Sequence, residues 1–343
     1  MARLESHWDR ITFLSVLLYP VSLVFRLAVS VRRGVYRAGI ARPVRLPVPV
    51  IVVGNITVGG TGKTPLTLWL AAFLRSCGCT PGIVCRGYGG TQPAPQRVLP
   101  DSDPLACGDE AVLLAQRSGC EVWSGTDRAA AARELLAAQP ACDVVISDDG
   151  LQHYALARDV EICMVDAGRG FGNGWLLPAG PLREPPSRLA TVDAVVLNSN
   201  GAGAAPPGPE IRQWNTACFT MRLEGREFRN LLNPGHRVGA EHFRGRRVHA
   251  VAGIGNPQRF FRHLQGMGLD FIPHSFPDHY PFTASDIAFA PSEAVVMTEK
   301  DAVKCQRFAA EPHWALTVDA VPDPRLGELV MRKLETVPTS EKR

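Results

Sequence analysis

Apolar positions along this chain fall into short runs separated by polar, glycine-rich turns. The first run differs from the rest. Residues 11–25 carry no charge, Pro20 interrupts them, and Arg26 follows before a second apolar turn ends at Arg32 and Arg33. Fifteen residues fall short of the roughly 20 that span a bilayer. Beyond it, Val48-Pro49-Val50-Ile51-Val52-Val53 reads as a buried strand past its proline, and Leu66, Leu68, Trp69, Leu70, Phe73 and Leu74 supply the buried face of a helix. Further apolar strands at 83–85, 121–123, 144–146, 161–165 and 194–197 alternate with helical stretches. That rhythm predicts an α/β fold with a doubly wound, mostly parallel sheet.

Punctuation divides the chain. Residues 201–209 (GAGAAPPGP) form a flexible break, and a new unit begins near Arg222 with a strand at 248–252 and a helix at 257–267. The expected organisation is a membrane-associating segment (1–42), a core (43–221), a smaller carboxyl-terminal α/β lobe (222–336) and a polar tail (337–343).

Composition narrows the function only modestly. With 343 residues, 45% hydrophobic and 20% charged, the chain is neither disordered nor fibrous, and two domains fit its length. A net charge of +4 does not point to nucleic acid. The position of charge matters more, because Arg3, Arg10, Arg26, Arg32, Arg33, Arg37, Arg42 and Arg45 face only Glu5 and Asp9 in the same stretch. The two acids argue against a cleaved signal peptide. A buried core helix competes, but apolar bulk flanked by arginines fits an interfacial anchor on the cytoplasmic face of a membrane. The nine cysteines contain no C-x-x-C pair and read as reduced thiols of a cytosolic protein.

The densest chemistry follows the first strand, in Gly54-Asn55-Ile56-Thr57-Val58-Gly59-Gly60-Thr61-Gly62-Lys63-Thr64, with Pro65 able to sit in the first turn of a helix. Strand, glycine-rich turn and helix start are the context in which a phosphate-binding loop acquires meaning. Backbone amides around Gly59, Gly60, Thr61 and Gly62 would close on phosphate, Lys63 would place a cation on the β- and γ-phosphates, and the Thr64 hydroxyl would bind Mg²⁺. The strict pattern wants glycine at position 57, where this chain has Thr57. Val58 stands where dimerising switch ATPases carry a leading lysine.

Three further clusters bear on the same chemistry. Asp143 to Gly150 is an apolar strand ending in Asp148 and Asp149, the form of a metal-binding acid at a sheet edge, with one of the two expected as a direct ligand. Asp109, before the apolar stretch 112–115, reads alone as a helix cap and beside a kinase site as a general base. Phe276-Pro277-Asp278-His279-Tyr280-Pro281-Phe282 reads as a shaped loop. The alternatives are a GTP- or ATP-dependent switch or metallochaperone-type NTPase, a soluble small-molecule kinase or ligase, and a structural membrane module. A GTP switch needs a guanine-reading N-K-x-D, for which only Asn198-Ser199-Asn200 and Lys300-Asp301 come near.

Taken together the motifs resemble the tetraacyldisaccharide 4′-kinase family. They are VGNITVGGTGKTP at 53–65, CRGYGG at 85–90, GDEAVLLA at 108–115, DDGLQHYALARDVEI from 148, RGFGNGWLLPAGPLREP at 169–185, HAVAGIGNP at 249–257, FPDHY at 276–280 and TEKDAVK at 298–304. The resemblance runs from about residue 10 to residue 320. It implies a P-loop core with a smaller second lobe, ATP-Mg²⁺ as donor, and transfer to the 4′-hydroxyl of tetraacyldisaccharide 1-phosphate to give lipid IVA. It also implies work at the cytoplasmic face of the inner membrane, on a lipid disaccharide, with neither nucleic acid nor an obligate protein partner. By residue, it assigns Lys63 and Thr64 to the nucleotide loop, and Asp148, Asp149 and Glu184 to metal. Asp109 becomes the catalytic base, assisted by His279, and Glu110, Arg128 and Arg183 bind substrate.

Overall fold

The computed structural model describes residues 7–199, 209–214, 216–290 and 292–337, so the expected break at 201–209 and the tail lie almost wholly outside the described residues. In chain order the first part runs α1 (Phe13–Arg37), β1 (Val50–Asn55), α2 (Lys63–Ser76), β2 (Pro81–Cys85), β3 (Gln96–Val98), α3 (Pro104–Cys107) and α4 (Asp109–Ser118). β4 (Glu121–Ser124), α5 (Arg128–Ala138), β5 (Val144–Asp148), β6 (Val160–Asp166) and β7 (Ala194–Asn198) complete it. After α6 (Pro209–Arg212) come β8 (Ala217–Asn230), β9 (Arg237–Val238), β10 (Val248–Ala252), α7 (Pro257–Gly266) and β11 (Ile272–Ser275). The chain ends with β12 (Ala294–Thr298), α8 (Glu299–Cys305), β13 (His313–Pro322) and α9 (Arg325–Glu335).

β1, β2, β5 and β7 are buried along their whole length, as continuous apolar runs covered by helices on both faces must be. The expected doubly wound sheet is present. The strand order is β11-β10-β12-β13-β8-β7-β6-β1-β5-β2-β4-β3, with β9 beside β8.

Two antiparallel strands carry the chain between its lobes. β7 lies parallel to the first half of β8, with Ala194 opposite Ala217. β13 lies parallel to β12, with Val295 opposite His313, while β8 and β13 run antiparallel from Asn230–Trp314 to Met221–Pro322. Strands of the first lobe therefore run along this ribbon toward the second lobe, and strands of the second run back. The carboxyl edges of two parallel half-sheets face each other across the gap, and ligands of α/β sheets bind at such edges.

Residue 222 falls inside β8, so one unbroken strand serves both lobes. α9 packs back on the first lobe, where Leu326, Leu329 and Val330 join the cluster of Leu66 and Leu70. A Cβ on Gly327 would lie 2.6 Å from Phe73, which shows how closely the two helices approach.

α1 is a single helix of 25 residues continuing through Pro20, longer than the uncharged run. At about 1.5 Å per residue it reaches the thickness of a bilayer's hydrocarbon core. Thr12 caps it, accepting from Ser15 N at 3.2 Å. Ser22 fastens one side to the first lobe, donating to Leu176 O and accepting from Ala179 N, both at 2.9 Å. The opposite side exposes Phe13, Val16, Leu17, Val24 and Leu27, Phe13 by 85%. It is long and apolar enough to cross a membrane by length and composition.

Candidate active site

The phosphate loop hangs between β1 and α2 and is tied from three sides. Asn55 Nδ2 donates to Thr61 Oγ1 at 3.2 Å, Asn198 Nδ2 to Thr61 O at 3.0 Å, and Arg169 Nη1 to Val58 O at 3.1 Å. Gly62 caps α2 with φ 92°, and a Cβ there would sit 2.7 Å from Asn198 Nδ2, so a side chain is excluded on both counts. Gly59 (φ 104°) turns the loop and Gly60 faces open space. Thr57 is buried and bridges to Leu182 with a φ outside the left-handed region, so the backbone there does not need the glycine of the strict pattern. Thr64 follows Lys63 on the first turn of α2, whose free amides and positive end suit a phosphate.

Behind the loop lie the two acids, and they differ sharply. Asp148 closes β5, is fully buried and accepts from Thr67 Oγ1 at 2.8 Å. Burial, with the negative charges of Glu110 and Asp149, pushes its carboxyl up to about 7. Asp149 turns out of the strand with φ 47° and meets Arg183 Nη1 at 3.2 Å and Lys63 Nζ at 3.5 Å. Burial alone would raise it, but Lys63, Arg183 and Arg128 hold it at about 2. Arg128, at the start of α5, donates to the Asp149 carbonyl at 2.7 Å and so fixes the turn itself.

Asp109 is set by glycine packing. Gly108 (φ 90°) caps α4, and a Cβ on it would fall 2.6 Å from Tyr88 O, so the turn after β2 lies directly against it. This puts Asp109, 4% exposed, at the carboxyl edge of the first lobe. His279 reaches it from the loop after β11, with Nδ1 3.1 Å from Asp109 Oδ2 and its ring 4.8 Å from that of Tyr88. His279 (φ 58°) and Asp149 are the only non-glycine residues with positive φ among the described residues, and strain of this kind collects at functional sites. Burial would raise the Asp109 carboxyl, but the His279 hydrogen bond and the charges of Lys300 and Lys304 keep it below the ordinary range. An ionised carboxylate held this way can take a proton from a hydroxyl.

Two lysines of the TEKDAVK motif complete this centre, Lys300, which the sequence offers only as part of a guanine-reading pair, and Lys304, which it assigns no role. On α8, Lys300 Nζ lies 3.2 Å from Glu110 Oε1 and 3.3 Å from His279 Nε2, and Lys304 Nζ lies 3.9 Å from Asp109 Oδ2. The signal was available, as two lysines four apart open a helix directly after a buried strand, at a carboxyl edge.

Glu184 is placed differently from its expected role. It is fully buried, accepts from the Tyr154 hydroxyl and from Gln152 Nε2 at 3.1 Å, and lies 3.6 Å from Arg188 Nε. None of these partners is Thr64, Asp148 or Asp149, and no three His, Cys, Asp or Glu side chains converge as a metal shell among the described residues. The nearest guanine-reading candidates also have structural work. Asn198 holds the loop, and Asp301 is fully buried, accepting from Gly253 N at 3.0 Å and the Thr298 hydroxyl at 2.7 Å.

Comparison with known proteins agrees with this geometry. A family profile described as Tetraacyldisaccharide-1-P 4'-kinase matches residues 14–335. The tetraacyldisaccharide 4'-kinase of Aromatoleum aromaticum is 54% identical over 327 residues, covering 95% of this chain and 96% of that protein. The one from Pseudomonas paraeruginosa is 47% identical over 323 residues, 94% of each. The crystal structure of LpxK from Aquifex aeolicus in complex with ATP superposes with a TM-score of 0.81 at 29% identity, covering 94% of this chain and 100% of that one.

Proposed function

The chain belongs to the tetraacyldisaccharide-1-P 4'-kinase family, and on that premise we propose how its own residues carry the reaction. It is an ATP-binding kinase of lipid A biosynthesis, phosphorylating the 4′-hydroxyl of tetraacyldisaccharide 1-phosphate to give lipid IVA. The triphosphate lies in the loop from Gly59 to Thr64, where Lys63 leaves Asp149 for the β- and γ-phosphates. Asp109 takes the proton of the acceptor hydroxyl. That oxygen forms its bond to the γ-phosphorus as the bond to the β–γ bridging oxygen breaks, and ADP leaves with the electron pair. His279 orients Asp109, while Arg183, Arg128 and Glu110 shape the surrounding pocket. The observation that carries this reading is the 3.1 Å pairing of Asp109 with His279 across facing sheet edges, beside a loop built for phosphate.

The acids fit a magnesium ion. Asp148 is a buried carboxyl crowded by negative charge, which a divalent cation would relieve, and Thr67, which bonds it, lies one turn along α2 from Thr64. Thr64 and Asp148 would hold the ion, with Asp149 joining once Lys63 leaves it. When bound, Mg²⁺ neutralises charge on the phosphate oxygens. The exposed apolar face of α1 supports a peripheral or monotopic seat on the cytoplasmic face of the inner membrane, where the acyl chains of the substrate lie.

The test is transfer of label from γ-labelled ATP with Mg²⁺ to detergent-dispersed tetraacyldisaccharide 1-phosphate. Labelled lipid is expected. Label from GTP but not ATP, or no labelled lipid, would overturn the reading.

A further inference from the structure

Lys300 occupies a position that the roles above leave unused. Its Nζ has three acceptors in reach, Glu110 Oε1 at 3.2 Å, His279 Nε2 at 3.3 Å and Asp278 Oδ1 at 3.4 Å. An ammonium group has three donors and no lone pair, so an imidazole nitrogen facing it must be the acceptor. The competing partner for Nε2 is Asp278 Oδ2 at 3.8 Å, too far for a hydrogen bond.

We propose that Lys300 is a positioning residue that holds His279 as the neutral Nδ1–H tautomer and ties it across the lobes to Glu110. With Nε2 occupied by Lys300, the ring proton sits on Nδ1 and is donated to Asp109 Oδ2. Asp109 is thus kept an ionised acceptor that His279 orients without taking its proton. Its second oxygen accepts from Glu110 N at 2.8 Å. The same ammonium group bonds both to Glu110 of α4 and to the loop after β11, so the tautomer is set when the lobes come together.

The groups facing this pair from every side are consistent with that assignment. α4 contributes Asp109 and Glu110, the loop after β11 Asp278, α8 Lys304, the turn after α8 Arg307, and the turn after β2 Tyr88. Glu110, Asp109 and Asp278 outweigh the burial of Lys300 and raise its pKa, so it stays charged throughout the working range.

This inference rests on the kinase reading, and its test includes a readout independent of turnover. The full-length protein in detergent, labelled with ¹⁵N-histidine, is compared with K300M and K300R, and the His279 signals are assigned by their loss in H279Q. In the wild type at pH 8, a proton on Nδ1 and none on Nε2 is expected. K300M should show a mixture of tautomers, and K300R, also a pure donor, should restore the wild-type spectrum. In the labelled-lipid assay, K300M removes a cation from beside Asp109, so the acid limb of kcat/KM should move up by about one pH unit while ATP affinity stays within about two-fold. Nε2–H or imidazolium in the wild type, or K300M leaving both tautomer and acid limb unchanged, would overturn the proposal. Failure to label lipid at any pH would instead strike the kinase reading and leave the spectrum to judge Lys300.

Discussion

The two halves of the site are built in opposite ways. The nucleotide half comes from one lobe, with β1, its loop and the start of α2 joined to the acids at the end of β5, all strands paired in register. The acceptor half exists only between lobes. Asp109 and His279 are 170 residues apart, and Glu110 and Lys300 are 190 apart. A half built within one lobe stays assembled whatever the second lobe does. A half shared between lobes forms only when their carboxyl edges approach, so acceptor chemistry can be coupled to closure.

The largest effect that would test this contrast is in the nucleotide half. Lys63→Ala should cost about 10³-fold in kcat/KM and weaken ATP binding as well, because a preorganised cation on the phosphates is lost. A variant that keeps ATP affinity and most of its rate would refute the assignment.

A smaller effect is expected where the lobes are riveted far from the chemistry. Arg117 lies two turns beyond Glu110 on α4 and binds Glu299 of α8, itself 7% exposed, as well as Asp319 of β13 at 2.5 Å. Arg117→Met would leave the buried Glu299 charge without its ion-pair partner, held by Val318 N at 3.0 Å and the nearby charge of Arg229, at a cost of about 3 kcal/mol. Tm should fall, and lipid transfer should drop about ten-fold with ATP affinity unchanged. If ATP affinity fell in parallel, the two halves would not be separable.

The smallest effect on stability is expected at Asp148, and its sign is opposite. Asp148 is raised to about 7 in the folded protein, so folding resists its ionisation. The cost begins near the unfolded carboxylate pKa of about 4, grows as pH rises, and levels off above the folded value. Asp148→Asn should therefore raise Tm of the nucleotide-free protein by a few degrees at pH 8 and by less at pH 5, while abolishing magnesium-dependent transfer. A destabilised variant at pH 8 would contradict the charge crowding.

Legibility from the sequence follows the same division. The loop and the acids were readable because each is contiguous, a buried strand running straight into its functional turn. The doubly wound core was readable for the same reason, with β10 at its expected limits and β1, β2, β4, β5, β6 and β7 within two residues, whereas β3, β8, β9, β11, β12 and β13 were not read as strands. No periodicity joins Asp109 to His279, and only family resemblance set them side by side. The part of Lys300 and Lys304 in this centre was not readable because the acids they face across the gap, Glu110 and Asp109, lie on the other lobe. Glu184 was drawn to the metal by its place in the LREP motif, whereas its environment of Tyr154, Gln152 and Arg188 is visible only in three dimensions. α9 looked like part of the second lobe because it follows β13, yet the ribbon returns the chain to the first.

The most direct test is to measure, on the same samples of wild type and Asp109→Asn, both ATP affinity and phosphoryl transfer to tetraacyldisaccharide 1-phosphate. An acceptor half assembled separately from the nucleotide half predicts unchanged ATP binding with transfer reduced about 10³-fold, the range for loss of a general base. Transfer near the wild-type rate, or a loss that merely follows lost ATP binding, would contradict it.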